Sequence, residues 1–192
     1  MKKQKIAGIA IIIIILAAAV LYFASQKNQE FHEHANFAVY LDGVMHNFSQ
    51  PKYMPTEDEE VGLHALVHMH DMNGGVIHLH EPGIKLGMFF DSIGIKLNST
   101  CFVLDDGTSY CNSPGKILKV YVNGVESHEY GTLKFHDLDK ILVTFGDGSQ
   151  LEQQLASVPA DACIYSNKCE APAGFVNNES LSCKTGQKEN SC

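Results

Sequence analysis

Histidine recurs at every second position in three short stretches of the chain, each time between apolar residues. The three His-x-His pairs are His32/His34, His68/His70 and His78/His80. Random placement of ten His in 192 positions would give about half of one such pair. A period of two is typical of a β-strand, in which side chains two residues apart point to the same face of the sheet. Each pair therefore predicts a strand that carries two imidazoles on one face.

The apolar residues between the histidines predict which face this is. They all occupy odd positions: Phe31, Ala35, Phe37, Val39, Leu41, Ala65, Val67, Met69, Ile77 and Leu79. A core on the odd-numbered side of the strands directs every His of the three pairs to the opposite face.

Residues 68–81 predict two strands joined by a turn at Asn-Gly-Gly, residues 73–75. A loop with an odd number of residues pairs even positions with even positions, for example His70 with His78 and His68 with His80. Side chains that oppose one another in this way have their Cβ atoms ~4.5–5.5 Å apart. The register that buries the apolar residues therefore also gathers the imidazoles.

Neutral imidazole is the commonest protein ligand for Zn, Cu and Ni, so the gathered histidines predict a transition-metal site for Zn or Cu. The predicted ligands are His32, His34, His68, His70, His78 and His80. Asp71 and Glu81 follow two of these histidines and are candidates for a further ligand or for a group that orients one. The alternatives are a solvated polar face without a chemical role, a polar cluster that only forms hydrogen bonds, and a proton-linked switch. The isolated His46, His128 and His136 are expected to be ordinary surface residues.

The remainder of the chain predicts a mainly β domain, a β-rich α+β fold with two short helices. The dipeptides Asp42-Gly43 and Asn123-Gly124 are typical of tight hairpin turns, and the apolar run at residues 141–145 is typical of a central strand. One helix is predicted from apolar residues at positions 86, 89, 90 and 93, ended by Gly94. A second is predicted over residues 149–157, with Ser149 as its cap.

An uncharged apolar segment at residues 6–24 follows Lys2, Lys3 and Lys5. Its 19 residues suffice to cross a bilayer, and the lysines predict that the N-terminus stays in the cytoplasm. We therefore expect one N-terminal transmembrane helix, a signal anchor over residues 1–25, in the cell membrane. A linker at 26–30, an extracytoplasmic β-rich domain at 31–158 and a Cys-rich tail at 159–192 would follow. The alternative is a cleaved signal peptide and a secreted protein.

All six cysteines follow the apolar segment and none forms a Cys-x-x-Cys pair, which favours disulfides in an oxidising compartment. Cys101 and Cys111 flank an Asp-Asp-Gly turn, residues 105–107, and are predicted to bridge its two strands. The pairing of the other four stays open. They are Cys163, Cys169, Cys183 and Cys192, in a stretch poor in apolar residues that is expected to be held by disulfides rather than by a core.

Charge limits the partners. The chain has no Arg and a net charge of −8, which excludes a nucleic-acid partner because phosphates need a cationic face. Three hypotheses are open: a metal-binding module, a metal-dependent hydrolase or oxygenase, and a disulfide-stabilised structural or adhesive surface protein. The chain has no recognisable nucleophile or His-Glu-x-x-His helix, so the binding module is favoured over the enzyme. The membrane and the metal ion are the predicted partners, and no protein partner is indicated.

Four pieces of the chain resemble uncharacterised exported histidine-motif domains of archaea and bacteria. These domains pair a His-x-His strand with a block of the form H-x-H-D-x-x-G-x-I-H-x-E and a Leu-Gly-x-Phe-Phe segment. The matching pieces here are residues 32–34, 68–71, 75–81 and 86–90, and the likeness covers residues 31–157. The chain departs from the pattern in carrying His80 directly before Glu81 and in its Cys-rich tail. The resemblance implies domain boundaries and no activity.

Gly62, His68 and His70 also resemble the opening of the first cupin motif, in which a double-stranded β-helix holds a metal on two His, a Glu and a later His. The Glu expected four or five residues after His70 is replaced by Gly74 or Gly75, and a second cupin motif is not recognisable. This likeness is therefore limited to the start of one motif.

Overall fold

A computed structural model describes residues 15–18, 22, 31–55 and 65–175. The chain divides into two units, Met1–Glu30 and Phe31–Cys192, and the second carries the fold described below. Most of the expected membrane segment lies outside the described residues, as do His64, Cys183 and Cys192. Within the described ranges, no helix combines the length and the apolar character needed to cross a membrane.

A mixed β-sheet forms the centre of the domain, as the alternating sequence pattern predicts. Within the described residues, its strands follow the spatial order β3-β4-β1-β10-β8-β9, with β2 paired to the end of β1. Strands β1 and β10 are parallel, and the other neighbours are antiparallel. A smaller sheet has the order β5-β6-β7. The strand bounds are β1 (Glu33–Leu41), β2 (Val44–Met45), β3 (Val67–His68), β4 (Val76–Leu79), β5 (Lys96–Leu97), β6 (Cys101–Val103), β7 (Ser109–Cys111), β8 (Ile117–Val122), β9 (Val125–Ser127) and β10 (Lys140–Gly146).

The predicted hairpins and central strand are present. Asp42 and Gly43 have φ of 52° and 81°, and Asn123 and Gly124 have the same values, so both dipeptides adopt the left-handed conformation that two-residue turns need. They join β1 to β2 and β8 to β9. Strand β10 lies between β1 and β8, and its side chains from residue 141 to residue 145 are all buried because apolar residues cover both faces of the sheet at this point.

The main core lies on the odd-numbered side of β1 and β4. Helix α1 (Leu86–Ser92) packs there through Leu86, Phe89 and Phe90, which are fully buried. The ring centroids of Phe37 and Phe89 are 5.1 Å apart, so the helix rests directly on β1. Burial of each such side chain contributes roughly 1.5–3 kcal/mol. The predicted helix is confirmed, and it ends just before Gly94, whose φ is 76°.

Two further helices, α2 (Leu151–Ser157) and α3 (Ala162–Tyr165), carry side chains that pack on the other face of the sheet. Helix α2 begins two residues after the predicted cap. The hydroxyl of Ser149 donates to Asp147 Oδ1 at 2.7 Å instead of capping the helix. Helix α3 was not predicted. The expectation that the Cys-rich tail buries no core is wrong for this helix, because Tyr165 is 5% exposed and packs with Val76 and Ala162.

The structure contains two disulfides in the described residues. Cys101 and Cys111 oppose one another in β6 and β7 and are bonded, which confirms the predicted pair. Cys163 is bonded to Cys169, a pairing that the sequence left open. This second bridge closes a short ring directly around the end of α3.

Candidate metal centre

Three buried histidines lie in one row across the strands at the edge of the large sheet. His68 of β3 pairs with His78 of β4, and His78 pairs with His34 of β1. Each remaining histidine of the three pairs lies two residues away on the same chain segment: His32 before His34, His70 after His68 and His80 after His78. The six residues share one parity and therefore one face, opposite the core, as the sequence predicts. We call these six residues the histidine cluster.

The pairing of β3 with β4 differs from the predicted register by two residues. The sequence favoured His70 opposite His78, whereas His68 takes that position. The even-to-even parity is preserved, so the error moves side chains along the face and not to the other side of the sheet.

The reason for the shift is a loop that is longer than a tight hairpin. Asp71 and Met72 have φ of 56° and 58°, and the Asn73 amide donates to Asp161 Oδ2 at 2.9 Å. Gly74 packs so closely on the preceding segment that a Cβ there would lie 2.3 Å from the carbonyl carbon of Phe48. The loop is therefore shaped by contacts with distant parts of the chain.

The histidine cluster consists of two groups of three. His32, His34 and His78 form the first histidine group, and His68, His70 and His80 form the second. In each group, one nitrogen from every ring lies within 4.8 Å of the other two. In the second group, His68 Nε2 lies 2.6 Å from His70 Nε2 and 3.2 Å from His80 Nε2. A tetrahedral ion with bonds of ~2.0–2.1 Å needs its ligand nitrogens about 3.3 Å apart. The separation between His68 and His80 matches this value, whereas the nitrogens of His68 and His70 are closer together and would have to move apart around an ion.

The two groups touch one another. The ring centroids of His32 and His80 are 4.6 Å apart, and those of His70 and His78 are 4.8 Å apart. Strand β4 lies between β1 and β3 and supplies His78 to the first group, and His80 of the second group directly follows this strand. The six imidazole rings of the cluster are therefore in contact across the boundary between the two groups.

One side of the cluster is buried and the other is open. His34, His68 and His78 are at most 4% exposed, His70 and His80 are half-buried, and His32 is exposed. The Tyr165 ring of α3 covers the buried side, with its centroid 5.0 Å from that of His78. An ion can thus enter from the exposed side and still be held among buried rings.

A hydrogen-bond chain orients the His34 ring. His34 Nδ1 lies 2.8 Å from Ser166 Oγ, and the Ser166 hydroxyl donates to Asp137 Oδ1. Because the single hydroxyl proton goes to the carboxylate, Ser166 accepts at the ring and His34 Nδ1 carries the proton. In this tautomer Nε2 carries the lone pair that binds metals. Metal-ligating histidines are commonly oriented in this way.

The carboxylate at the end of this chain is kept ionised. Desolvation alone would raise the pKa of Asp137, but hydrogen bonds from Lys168, Ser166 and the backbone N–H of His34 outweigh it and lower the pKa. An ionised carboxylate accepts hydrogen bonds only, which fixes the direction of the chain toward His34. No sequence spacing reveals this partner, because Asp137 lies 103 positions from His34 and Ser166 lies 132 positions away.

The other acidic and histidine candidates lie elsewhere. Asp71 and Glu81 are exposed and belong to neither histidine group, and their role as ligands or orienting groups stays a prediction. His128 and His136 are exposed, as expected. His46 is half-buried and lies 3.0 Å from the Tyr53 hydroxyl, and burial together with Lys52 lowers its pKa. It is therefore part of a local network rather than an ordinary surface residue.

The chain matches no family model, no curated protein and no solved structure.

The chemistry of the cluster is nevertheless specific. All six side chains offer nitrogen, which suits Zn, Cu and Ni, whereas Mg and Ca prefer carboxylate and carbonyl oxygen. Three neutral imidazoles in each group can hold an ion and leave a coordination position for another ligand.

Proposed function

We propose that this chain is an extracytoplasmic, membrane-anchored domain that binds a transition metal ion, Zn²⁺ or Cu²⁺, through the histidine cluster. The observation that carries the proposal is the division of six imidazoles into two groups whose nitrogens lie within 4.8 Å of one another. Affinity for nitrogen ligands rises along the first transition row to Cu²⁺ and falls again at Zn²⁺.

Burial favours metal binding over a solvated polar face. A face without a chemical role would present its histidines to water, whereas His34, His68 and His78 are almost completely buried. The Ser166–Asp137 chain that orients His34 is a further feature that a solvated face would not need.

The proposed location depends on different observations. Lysines precede the apolar segment at residues 6–24, and the two disulfides of the described residues suit an oxidising compartment. We expect protease added to intact cells to digest residues 26–192 and to spare the lysine-rich start of the chain. Protection of a C-terminal tag in the same assay would contradict the proposed orientation.

Calorimetry with the chelator-stripped 192-residue chain at pH 7.5 tests metal binding. We expect saturable binding of Zn²⁺ with Kd well below about 100 μM, equivalent to more than ~5.5 kcal/mol of binding free energy. The variant H68A/H78A should lose most of this binding, because it removes one ligand from each group. The matched control H128A/H136A should retain it. Absence of saturable binding of Zn²⁺ and of Cu²⁺ would favour the solvated-face alternative.

The second candidate is a metal-dependent hydrolase or oxygenase. The observation that favours it is that each histidine group has three members. Catalytic zinc sites typically have three protein ligands and an open fourth position, whereas structural sites have four protein ligands. Substitution with Co²⁺ tests this directly. An added small anion such as azide should change the visible absorption if a position is open, and should leave it unchanged if protein ligands fill the coordination sphere.

A further inference from the structure

The histidine cluster offers more ligands than one ion uses. Zinc in proteins is almost always four-coordinate, and a catalytic site takes only three ligands from the protein. Six imidazoles therefore exceed the demand of one site and equal the demand of two three-ligand sites.

The arrangement of the strands separates the six residues into two sets. The first histidine group takes two members from the β1 segment and His78 from β4. The second takes two members from the β3 segment and His80, which directly follows β4. Two residues of extended chain span roughly 6.5–7 Å, so the rings of His78 and His80 start from separate points along the chain. The middle segment thus contributes one ligand to each group.

We infer that the cluster is a binuclear centre, in which two transition metal ions lie side by side and each is held by one three-histidine group. The inference depends on the proposed metal binding and adds the number and arrangement of the ions. The supporting contacts are those between the groups, where ring centroids approach to 4.6 and 4.8 Å. Ions bound to rings this close are near neighbours.

Electrostatics sets the order of binding. All six ligands are neutral imidazoles, so they do not offset the repulsion between two cations, and the second ion binds more weakly than the first. The negative net charge of the chain reduces this cost. The cost is also lower for monovalent Cu⁺ than for divalent ions, since the repulsion scales with the product of the charges.

Stoichiometry in two single variants tests the inference with the 192-residue chain. H32A removes a ligand from the first group and H70A removes one from the second, and neither residue is fully buried. Circular dichroism checks that both variants melt like the original chain. We expect two Zn²⁺ per chain originally, one in each single variant and none in H32A/H70A. In each variant, the Zn²⁺ affinity of the group that loses a ligand should fall by more than ~10–100-fold, the usual cost of losing only a residue that orients a ligand. H128A/H136A should still bind two.

Electron paramagnetic resonance of the Cu²⁺-loaded chain tests whether the ions are neighbours. Two Cu²⁺ held side by side should give the signal of a magnetically coupled pair, and H32A or H70A with one ion should give the signal of isolated Cu²⁺. Three results would overturn the binuclear centre while leaving metal binding intact. The first is saturation at one ion per chain, and the second is a single binding step that both H32A and H70A weaken. The third is a pair of Cu²⁺ ions whose signals show no magnetic coupling. Absence of any binding would instead contradict the proposed function itself.

Discussion

The orientation of His34 depends on a side chain that is far away in sequence and does not reach the metal site. Asp137 holds Ser166, and Ser166 holds His34 Nδ1 in the protonated form. The same carboxylate accepts the backbone N–H of His34 at 2.9 Å. One residue thus fixes both the backbone and the ring of a candidate ligand.

We expect the substitution D137N to weaken Zn²⁺ binding by ~10–100-fold, the usual cost of losing a partner that orients a ligand. The asparagine amide can donate to Ser166, so the hydroxyl proton is no longer directed away from the ring and the tautomer of His34 is no longer fixed. Calorimetric titration with Zn²⁺ measures the change.

D105N is the matched control for this prediction. Asp105 also accepts hydrogen bonds from a lysine and a hydroxyl, those of Lys52 and Tyr53, but it is not bonded to any histidine of the cluster. Its replacement should leave the affinity unchanged within about twofold. Equal affinities for D137N and the original chain would show that the Asp137 chain has no part in metal binding.

At the scale of elements, the loop between β3 and β4 sets the positions of the second histidine group. Gly74 lies against the backbone of Phe48 and Ser49, and its neighbour Asn73 is bonded to Asp161 and Tyr165. The loop thus connects the sheet edge to the segment that contains α3. A change in the loop should therefore act on stability and on the cluster together.

We expect G74A to destabilise the domain by at least ~1–3 kcal/mol, the usual cost of an overpacked site, because the added Cβ would meet backbone atoms at 2.3 Å. Urea unfolding measures the loss. G146A is the control, since a Cβ at Gly146 meets nothing within 4 Å and its backbone needs no special conformation. A loss for G74A no larger than that for G146A would contradict the close packing of the loop.

The sequence predicted the elements whose pattern is local and missed those that depend on distant contacts. Alternation with a period of two is sufficient to place the six histidines on one face, because one core-facing residue fixes the parity of a whole strand. The two-residue shift between His68 and His78 was not predictable, since it depends on Asn73 reaching Asp161, 88 positions away. Helix α3 has only four residues, too few for a helical pattern to appear.

At the scale of the whole molecule, the charge balance suits a cation as ligand. The net charge of −8 attracts cations toward the domain and raises their association rate, an effect that salt screens. The metal-binding groups themselves are neutral, so this attraction comes from the surrounding surface. Selection among metals then depends on the nitrogen ligands.

Metal binding should stabilise the folded domain by mass action. At a free Zn²⁺ concentration of about 100 Kd the gain is ~2.7 kcal/mol, which raises Tm by roughly 5–10 °C in a domain of this size. Excess chelator should reverse the shift, and H68A/H78A should show none. The shift should also shrink as the pH falls, because imidazole binds metal only in its neutral form. A Tm that is the same with Zn²⁺ and with chelator would contradict binding to the folded state.

The most direct test of the account is anomalous diffraction from crystals of the chain grown with Zn²⁺, with data collected on both sides of the zinc absorption edge. The account predicts anomalous peaks within the histidine cluster, ~2.0–2.1 Å from ring nitrogens of three histidines in each occupied group. Peaks confined to isolated surface histidines such as His128 and His136, with none in the cluster, would contradict it.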